Sequence, residues 1–190
     1  MDGKWVRLRS WEKSDIPTYA EWIRNANVSS LTHITRRPTS LREIEEEFES
    51  YFSGKGNVFH CAIVDKVNGE LLGKFHWEEC LKGPNVYEVG IVIGKSEYWN
   101  RGIGLEACYL GAKILFEEMM AHKIMFLCAE YNQNIVKFGK RLGFKEEGRI
   151  RDRFYSGGRY VDGIWMGLMR EEYEQKAKQY AHLVEAIERA

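Results

Sequence analysis

Apolar and polar positions alternate in Val6-Arg7-Leu8-Arg9, the period of a strand with one buried face. Ser14-Asp15 then precede Pro17, a helix-start signal, and Tyr19, Trp22 and Ile23 give the following helix one apolar side. Ser40 is placed to cap a second helix, in which Leu41, Ile44, Phe48 and Tyr51 recur at helical spacing and which Ser53-Gly54-Lys55-Gly56 ends. Residues 58–64 and 71–77 are strand-like runs around Val67-Asn68-Gly69-Glu70, and Asn-Gly between such runs signals a hairpin. Residues 87–93 are largely apolar, as in a strand buried on both faces. A long helix over 102–120, a strand over 123–129 and a helix over 132–142 stopped by Gly143 follow. Phe144 opens a strand, Ser156-Gly157-Gly158-Arg159 turns it into another, and residues 170–190 close the chain as an amphipathic helix. The order β-α-α-β-β-β-α-β-α-β-β-α predicts an α/β (α+β) fold, a mixed central sheet flanked by helices in three layers.

At 190 residues and 22.2 kDa the chain is long enough for one domain, and no repeat or Ser/Gly/Pro-rich linker divides it. Lys+Arg and Asp+Glu balance at 28 each, with a pI near 7.0. That balance argues against bulk binding to nucleic acid or an anionic bilayer, although a local basic patch fits inside a neutral total. Cys61, Cys80, Cys108 and Cys128 are scattered, with no CxxC pair, so zinc-ribbon and thioredoxin-like readings fail and free thiols in a reducing compartment are expected. No run of 18 apolar residues occurs, and Met1-Asp2-Gly3-Lys4-Trp5 lacks the basic-then-apolar layout of a signal peptide. The expectation is a cytoplasmic protein with no membrane and no nucleic-acid partner.

The chemistry concentrates in Tyr98-Trp99-Asn100-Arg101-Gly102-Ile103-Gly104-Leu105-Glu106-Ala107, between a buried strand and a long helix. Two glycines at i and i+2 let the backbone turn tightly, so that N–H groups at the helix start converge on one spot suited to a pyrophosphate. Glycine serves any tight strand-to-helix turn equally well, so the pattern alone leaves both readings open. It is neither a Walker loop, since no GK[ST] follows, nor a Rossmann fingerprint, since the third glycine is missing.

Over roughly its whole length the chain resembles the GNAT superfamily of N-acetyltransferases, whose acetyl-CoA loop reads Q/R-x-x-G-x-G/A. Trp99-Asn-Arg-Gly102-Ile-Gly104 matches the glycines and carries Trp in the Q/R place. The form YWxxGxGxEA is similar to the branch of ribosomal-protein N-terminal acetyltransferases and spermidine acetyltransferases. Three more segments agree with it: Val6-Arg7-Leu8-Arg9, the run from Asn132 to Phe144, and Gly148-Arg149 leading to Gly158-Arg159-Tyr160-Val161-Asp162.

The resemblance implies direct transfer of acetyl from acetyl-CoA, as co-substrate and without a metal, to a primary amine. It assigns the cofactor to Asn100, Arg101, Gly102, Ile103, Gly104 and Leu105, with the oxyanion donors among the backbone N–H groups of Ile91, Val92 and Ile93. Such a reaction needs a base for the ammonium and an acid for the leaving thiolate. Glu88, a carboxylate in an otherwise apolar strand, is the candidate base; its structural alternative is a solvent-facing or salt-bridged strand-end Glu. Relatives place the acid, a Tyr, in N-x-x-x-I-x-x-Y-x-K-L-G-F, where this chain has Gly139; Tyr131 is the substitute candidate, with water or an unassisted thiolate as alternatives. Asn132 matches an Asn that touches the pantetheine arm in relatives, and also suits a plain N-cap. His76 is a candidate for the acceptor side or a structural His, and Glu45-Glu46-Glu47 is read as a solvated helix face. Asp162 faces the acceptor or, by slight preference, pairs with Arg151 or Arg153.

The acceptor itself is left open among peptide N-termini, polyamines, amino sugars and other small amines. Polyamine-acetylating relatives carry acidic residues between the first two helices, whereas this chain has Arg36 and Arg37 there. Those guanidiniums repel a polycation and suit a carboxylate or phosphate, unless they are solvated or paired with Glu43 or Glu47. Tyr173, Ala177, Tyr180, Val184 and Ile187 share one face of the closing helix, which must be covered either by its own domain or by a second subunit, and a homodimer is the expectation. The rival readings are a catalytically silent acyl-CoA-binding module, which the missing Tyr favours, and a structural interaction domain.

Overall fold

The alternation, cap and turn signals become seven strands and six helices in the computed structural model, which describes residues 1–29, 40–52, 58–80 and 85–185. The strands are β1 (Val6–Ser10), β2 (Val58–Asp65), β3 (Leu71–Glu79), β4 (Val86–Ile93), β5 (Lys123–Ala129), β6 (Lys145–Ser156) and β7 (Arg159–Met169). The helices are α1 (Ile16–Arg24), α2 (Ala26–Ser29), α3 (Leu41–Phe52), α4 (Ile103–Lys113), α5 (Gln133–Arg141) and α6 (Arg170–Glu185). The strands form one sheet in the order β1-β2-β3-β4-β5-β7-β6. Pairs β1–β2, β2–β3, β5–β7 and β6–β7 are antiparallel and β4–β5 is parallel, so the sheet is mixed as the pattern predicts. The parallel ladder joins only Val86–Lys123, Tyr87–Ile124 and Glu88–Met125.

By contact density the chain divides into two units, one built on Met1–Glu78 with Gly90–Gly111 and the other on Glu79–Val89 with Ala112–Ile187. In the first, α1 and α3 cover β2 and β3 through Trp11, Tyr19, Trp22, Ile44, Phe48, Ala62 and Val64. Trp11, Tyr19 and Phe48 meet edge to face at centroid distances of 5.0 to 5.8 Å. Each such ring contributes about 1.5–3 kcal/mol through burial, with ring geometry adding to it. Ser40 and Glu43 close a reciprocal capping box on α3: Glu43 N–H donates to Ser40 Oγ at 3.2 Å, and Ser40 N–H donates to Glu43 Oε2 at 2.8 Å. Leu41, expected on the buried face, is exposed, because it lies one residue inside that cap at the helix end. Glu45, Glu46 and Glu47 are exposed as expected.

In the second unit the long helix expected over 102–120 changes character, since the α-helix ends at Lys113 and a π-helical segment, Ile114–Glu118, follows. Phe116 in that segment stacks on Tyr173 of α6 at 4.6 Å. The Tyr173 hydroxyl donates to Glu117 at 2.8 Å, and Arg170 donates to the Phe116 carbonyl at 2.6 Å. The expected face of α6 is thus buried at Tyr173; the side chains of Ala177, Tyr180 and Val184, and all of Ile187, lie outside the described residues.

Glu106, in the first turn of α4, is fully buried. Its carboxylate accepts from the backbone N–H groups of Lys4, Trp5 (3.0 Å) and Val6 (3.1 Å), tying the start of β1 to α4. Gly3 is required beside it, because a Cβ there would run into the Glu106 carboxylate. Removing a buried acceptor strands its donors. Glu106→Ala is expected to lose about 3 kcal/mol of stability and Glu106→Gln about half of that, read from denaturant melts.

Candidate active site

The turn before α4 is built from two residues with left-handed backbone, Asn100 (φ 61°) and Gly102 (φ 80°). Only glycine takes such angles without strain, and Asn tolerates them better than most residues. Ile103 and Leu105 are buried and anchor the first turn of α4, while Asn100 and Arg101 are exposed and Gly102 and Gly104 half-buried. The first N–H groups of a helix have no intrahelical partner, so this turn presents donors along the positive end of the α4 dipole. A carboxylate in that first turn would compete for them. Glu106 does not, because its oxygens are filled by the N–H groups of β1. The residues present therefore fit a diphosphate.

Trp99, which stands in the expected Gln/Arg place, donates its indole N–H to the Ile93 carbonyl at 2.9 Å and closes the passage from β4 into the turn. Ile91, Val92 and Ile93 are all half-buried on β4.

His76, Lys74 and His60 lie on the sheet face under α1 and α3. In the β2–β3 register His60 pairs with His76 and Ala62 with Lys74, and the two imidazoles stack at 5.5 Å. Gly90 of β4 leaves room for the His76 ring, since a Cβ there would run into it. Lys74 donates to the Tyr19 hydroxyl at 3.2 Å and lies 5.0 Å from its ring centre. Burial pushes His60 and His76 down to about 3, helped by the positive charge of Lys74, and pushes Lys74 itself down to about 8. The His76 Nδ1 is buried with no hydrogen-bond partner among the described residues.

In the second unit Glu88 is half-buried on β4 opposite Met125. Asn132 is the N-cap of α5, its side-chain oxygen accepting from Ile135 N–H at 3.4 Å, which bears out the capping reading. Tyr131 beside it is 37% exposed. Gly139 has a packing reason: a Cβ there would lie 2.7 Å from Phe126 Cζ, so the Phe126 ring occupies the space a Tyr stem would need. Asp162 corrects the expected arginine pairing. Its carboxylate accepts from the Asp152 backbone N–H at 3.1 Å, holding a left-handed residue (φ 52°) where the β6–β7 register shifts. Arg36 and Arg37 lie outside the described residues. Sequence reasoning missed Glu106 and Lys74, though a charge inside Ile103-Gly-Leu105-Glu106-Ala107 and inside Leu71-Leu72-Gly73-Lys74-Phe75 was a visible signal.

The profile of the acetyltransferase (GNAT) domain matches residues 6–145. The chain belongs to the GNAT acetyltransferase family. It is an acetyl-CoA-dependent N-acetyltransferase that acts on amines. It is 25% identical over 177 residues to the SPbeta prophage-derived uncharacterized N-acetyltransferase YokL of Bacillus subtilis (strain 168), covering 90% of this chain and 94% of that one. It is 22% identical over 169 residues to the spermidine N(1)-acetyltransferase of Escherichia coli (strain K12), covering 88% of each. The crystal structure of spermidine N-acetyltransferase from Vibrio cholerae in complex with CoA and spermine superposes with a TM-score of 0.81 at 23% identity, covering 89% of this chain and 98% of that one. That likeness shows the fold. Among the described residues of this acetyltransferase, no helix is long and apolar enough to cross a membrane.

The buried histidines make its stability pH-dependent. An unfolded His takes up a proton near pH 6.5, whereas His60 and His76 resist until about 3, so acid favours the unfolded chain. The denaturation midpoint is expected to fall between pH 6.5 and 5, above the range where carboxylates titrate. His76→Leu should make that fall shallower.

Proposed function

We propose that residues 1–190 act as one cytoplasmic N-acetyltransferase domain in which the turn from Asn100 to Leu105 holds the pyrophosphate of acetyl-CoA. The observation that carries this reading is Glu106: its oxygens accept from the N–H groups of Lys4, Trp5 and Val6, leaving the donors of the α4 turn for an anion. Backbone N–H groups of Ile91, Val92 and Ile93 are assigned to the thioester oxygen, and Asn132, beyond capping α5, to the pantetheine arm.

Glu88 is assigned as the base that takes the proton from the acceptor ammonium, directly or through water. The neutral amine attacks the thioester carbonyl, the C–N bond forms and the C–S bond breaks, and the thiolate takes a proton from Tyr131 or from water. Tyr131 is exposed, which suits exchange with solvent. His76, held neutral by burial, is assigned to the acceptor side. Gly104→Val should raise the acetyl-CoA KM at least tenfold while leaving the amine KM within a factor of two. Equal effects on both would defeat the loop assignment. In the same assays Glu88→Gln should lower kcat and remove the acidic limb of the pH–rate profile.

The acceptor is assigned as a peptide N-terminus or small amine with an anionic group near its amine, held by Arg36 and Arg37. A second reading, a polyamine, is favoured by the similarity to spermidine acetyltransferases. Parallel turnover of spermidine and of a peptide with an acidic second residue separates them. The peptide is expected to win by at least tenfold, and efficient spermidine turnover would replace the first reading by the second. A homodimer through α6 is part of the same proposal, and sedimentation at micromolar concentration checks it.

A further inference from the structure

Glu70 ends the turn between β2 and β3, far in sequence from the turn that precedes α4. One of its carboxylate oxygens pairs with the Lys95 ammonium, and the other accepts from the Tyr98 hydroxyl at 3.0 Å. Lys95 and Tyr98 bracket the single 3-10 turn Ser96–Tyr98, where Tyr98 N–H donates to the Lys95 carbonyl at 3.1 Å and Trp99 N–H to the Ser96 carbonyl at 3.0 Å. Asn100 and Gly102, with their left-handed backbones, come directly after.

The support behind Glu70 is itself rigid. Asp65, 2% exposed, accepts from Val67 N–H at 2.8 Å, Asn68 Oδ1 accepts from Glu70 N–H at 2.9 Å, and Asp65 N–H donates to the Glu70 carbonyl at 2.8 Å. These Asx-type bonds fix the turn locally. Glu70 and Lys95 are only 35% and 26% exposed, so their pairing is less screened than an ion pair in open water. Glu70 is therefore a fixed post, and the segment it grips leads straight into the turn assigned to the pyrophosphate.

We propose that Glu70 is a positioning residue for acetyl-CoA: by gripping Lys95 and Tyr98 it holds the entry to the Asn100–Leu105 turn in the shape that binds the pyrophosphate. This rests on the assignment of that turn made above. Pre-ordering a loop removes an entropy cost that binding would otherwise meet, and the immobilised side chains involved correspond to a factor of roughly 3–10 in affinity.

Calorimetric titration of the full chain with CoA tests the proposal, with acetyl transfer measured in parallel. Glu70→Ala should weaken CoA binding about tenfold and Glu70→Gln, which keeps an acceptor for Tyr98, about threefold. In both, kcat at saturating acetyl-CoA should stay within a factor of two. Tyr98→Phe added to Glu70→Ala should cost nothing further, because the two act through one contact. Glu147→Gln, which breaks the comparably exposed Lys123–Glu147 pair in the other unit, should leave CoA affinity unchanged. Unaltered CoA affinity in Glu70→Ala, additive losses in the double variant, or an equal loss from Glu147→Gln would each overturn the positioning role. Gly104→Val separates the two claims. If it weakens CoA and Glu70→Ala does not, only the role of Glu70 falls; if neither does, the turn assignment falls with it.

Discussion

A carboxylate without exposed surface stays in a core only when its oxygens are filled, and Glu106 fills its own with the N–H groups of Lys4, Trp5 and Val6. One residue thereby settles three matters. The start of β1 gains a partner for N–H groups that would otherwise stand at a sheet edge. The first turn of α4 is fastened to the sheet through a contact spanning a hundred residues. The negative charge nearest the glycine turn is directed away from it. Gly3 belongs to the same arrangement, since a side chain there would occupy the carboxylate's position.

Element order was legible because it is written in local signals. The Asn-Gly turn, the Ser40 cap and the Asn132 cap each act within a few residues, and each is found where the pattern put it. What the pattern lacked was long-range. Trp99 in place of Gln or Arg reads as a departure until its indole reaches Ile93. Gly139 reads as a lost acid until Phe126, thirteen residues earlier in the chain, is found against it. The switch from α to π winding at Ile114 has no sequence signature that we identify, although the segment carries both the ring and the carbonyl that hold the start of α6.

The glycine turn was legible as a motif but not as a mechanism. Spacing alone could not say whether Gly102 and Gly104 serve a ligand or a tight corner, and the left-handed angle of Gly102 suits both. What surrounds the turn is long-range: Glu106 is filled by the N–H groups of Lys4, Trp5 and Val6, and the approach to the turn is held by Trp99 and Glu70. The Asp162 carboxylate carries the converse lesson, for it serves a strained backbone N–H rather than the arginines that sequence proximity suggested.

Acetyl transfer requires an uncharged amine, and the proposed assignment of His76 to the acceptor would set that requirement against the face of β2 and β3. Burial there suppresses protonation of every base it holds, His60 and His76 strongly and Lys74 by less. Under that assignment an acceptor ammonium brought against His76 would meet the same penalty, which lowers the pKa of an ammonium and favours its neutral form. The penalty also sorts acceptors. A molecule with one amine meets it once, whereas a polyamine meets it again at every further charge drawn in, and the Lys74 ammonium adds repulsion.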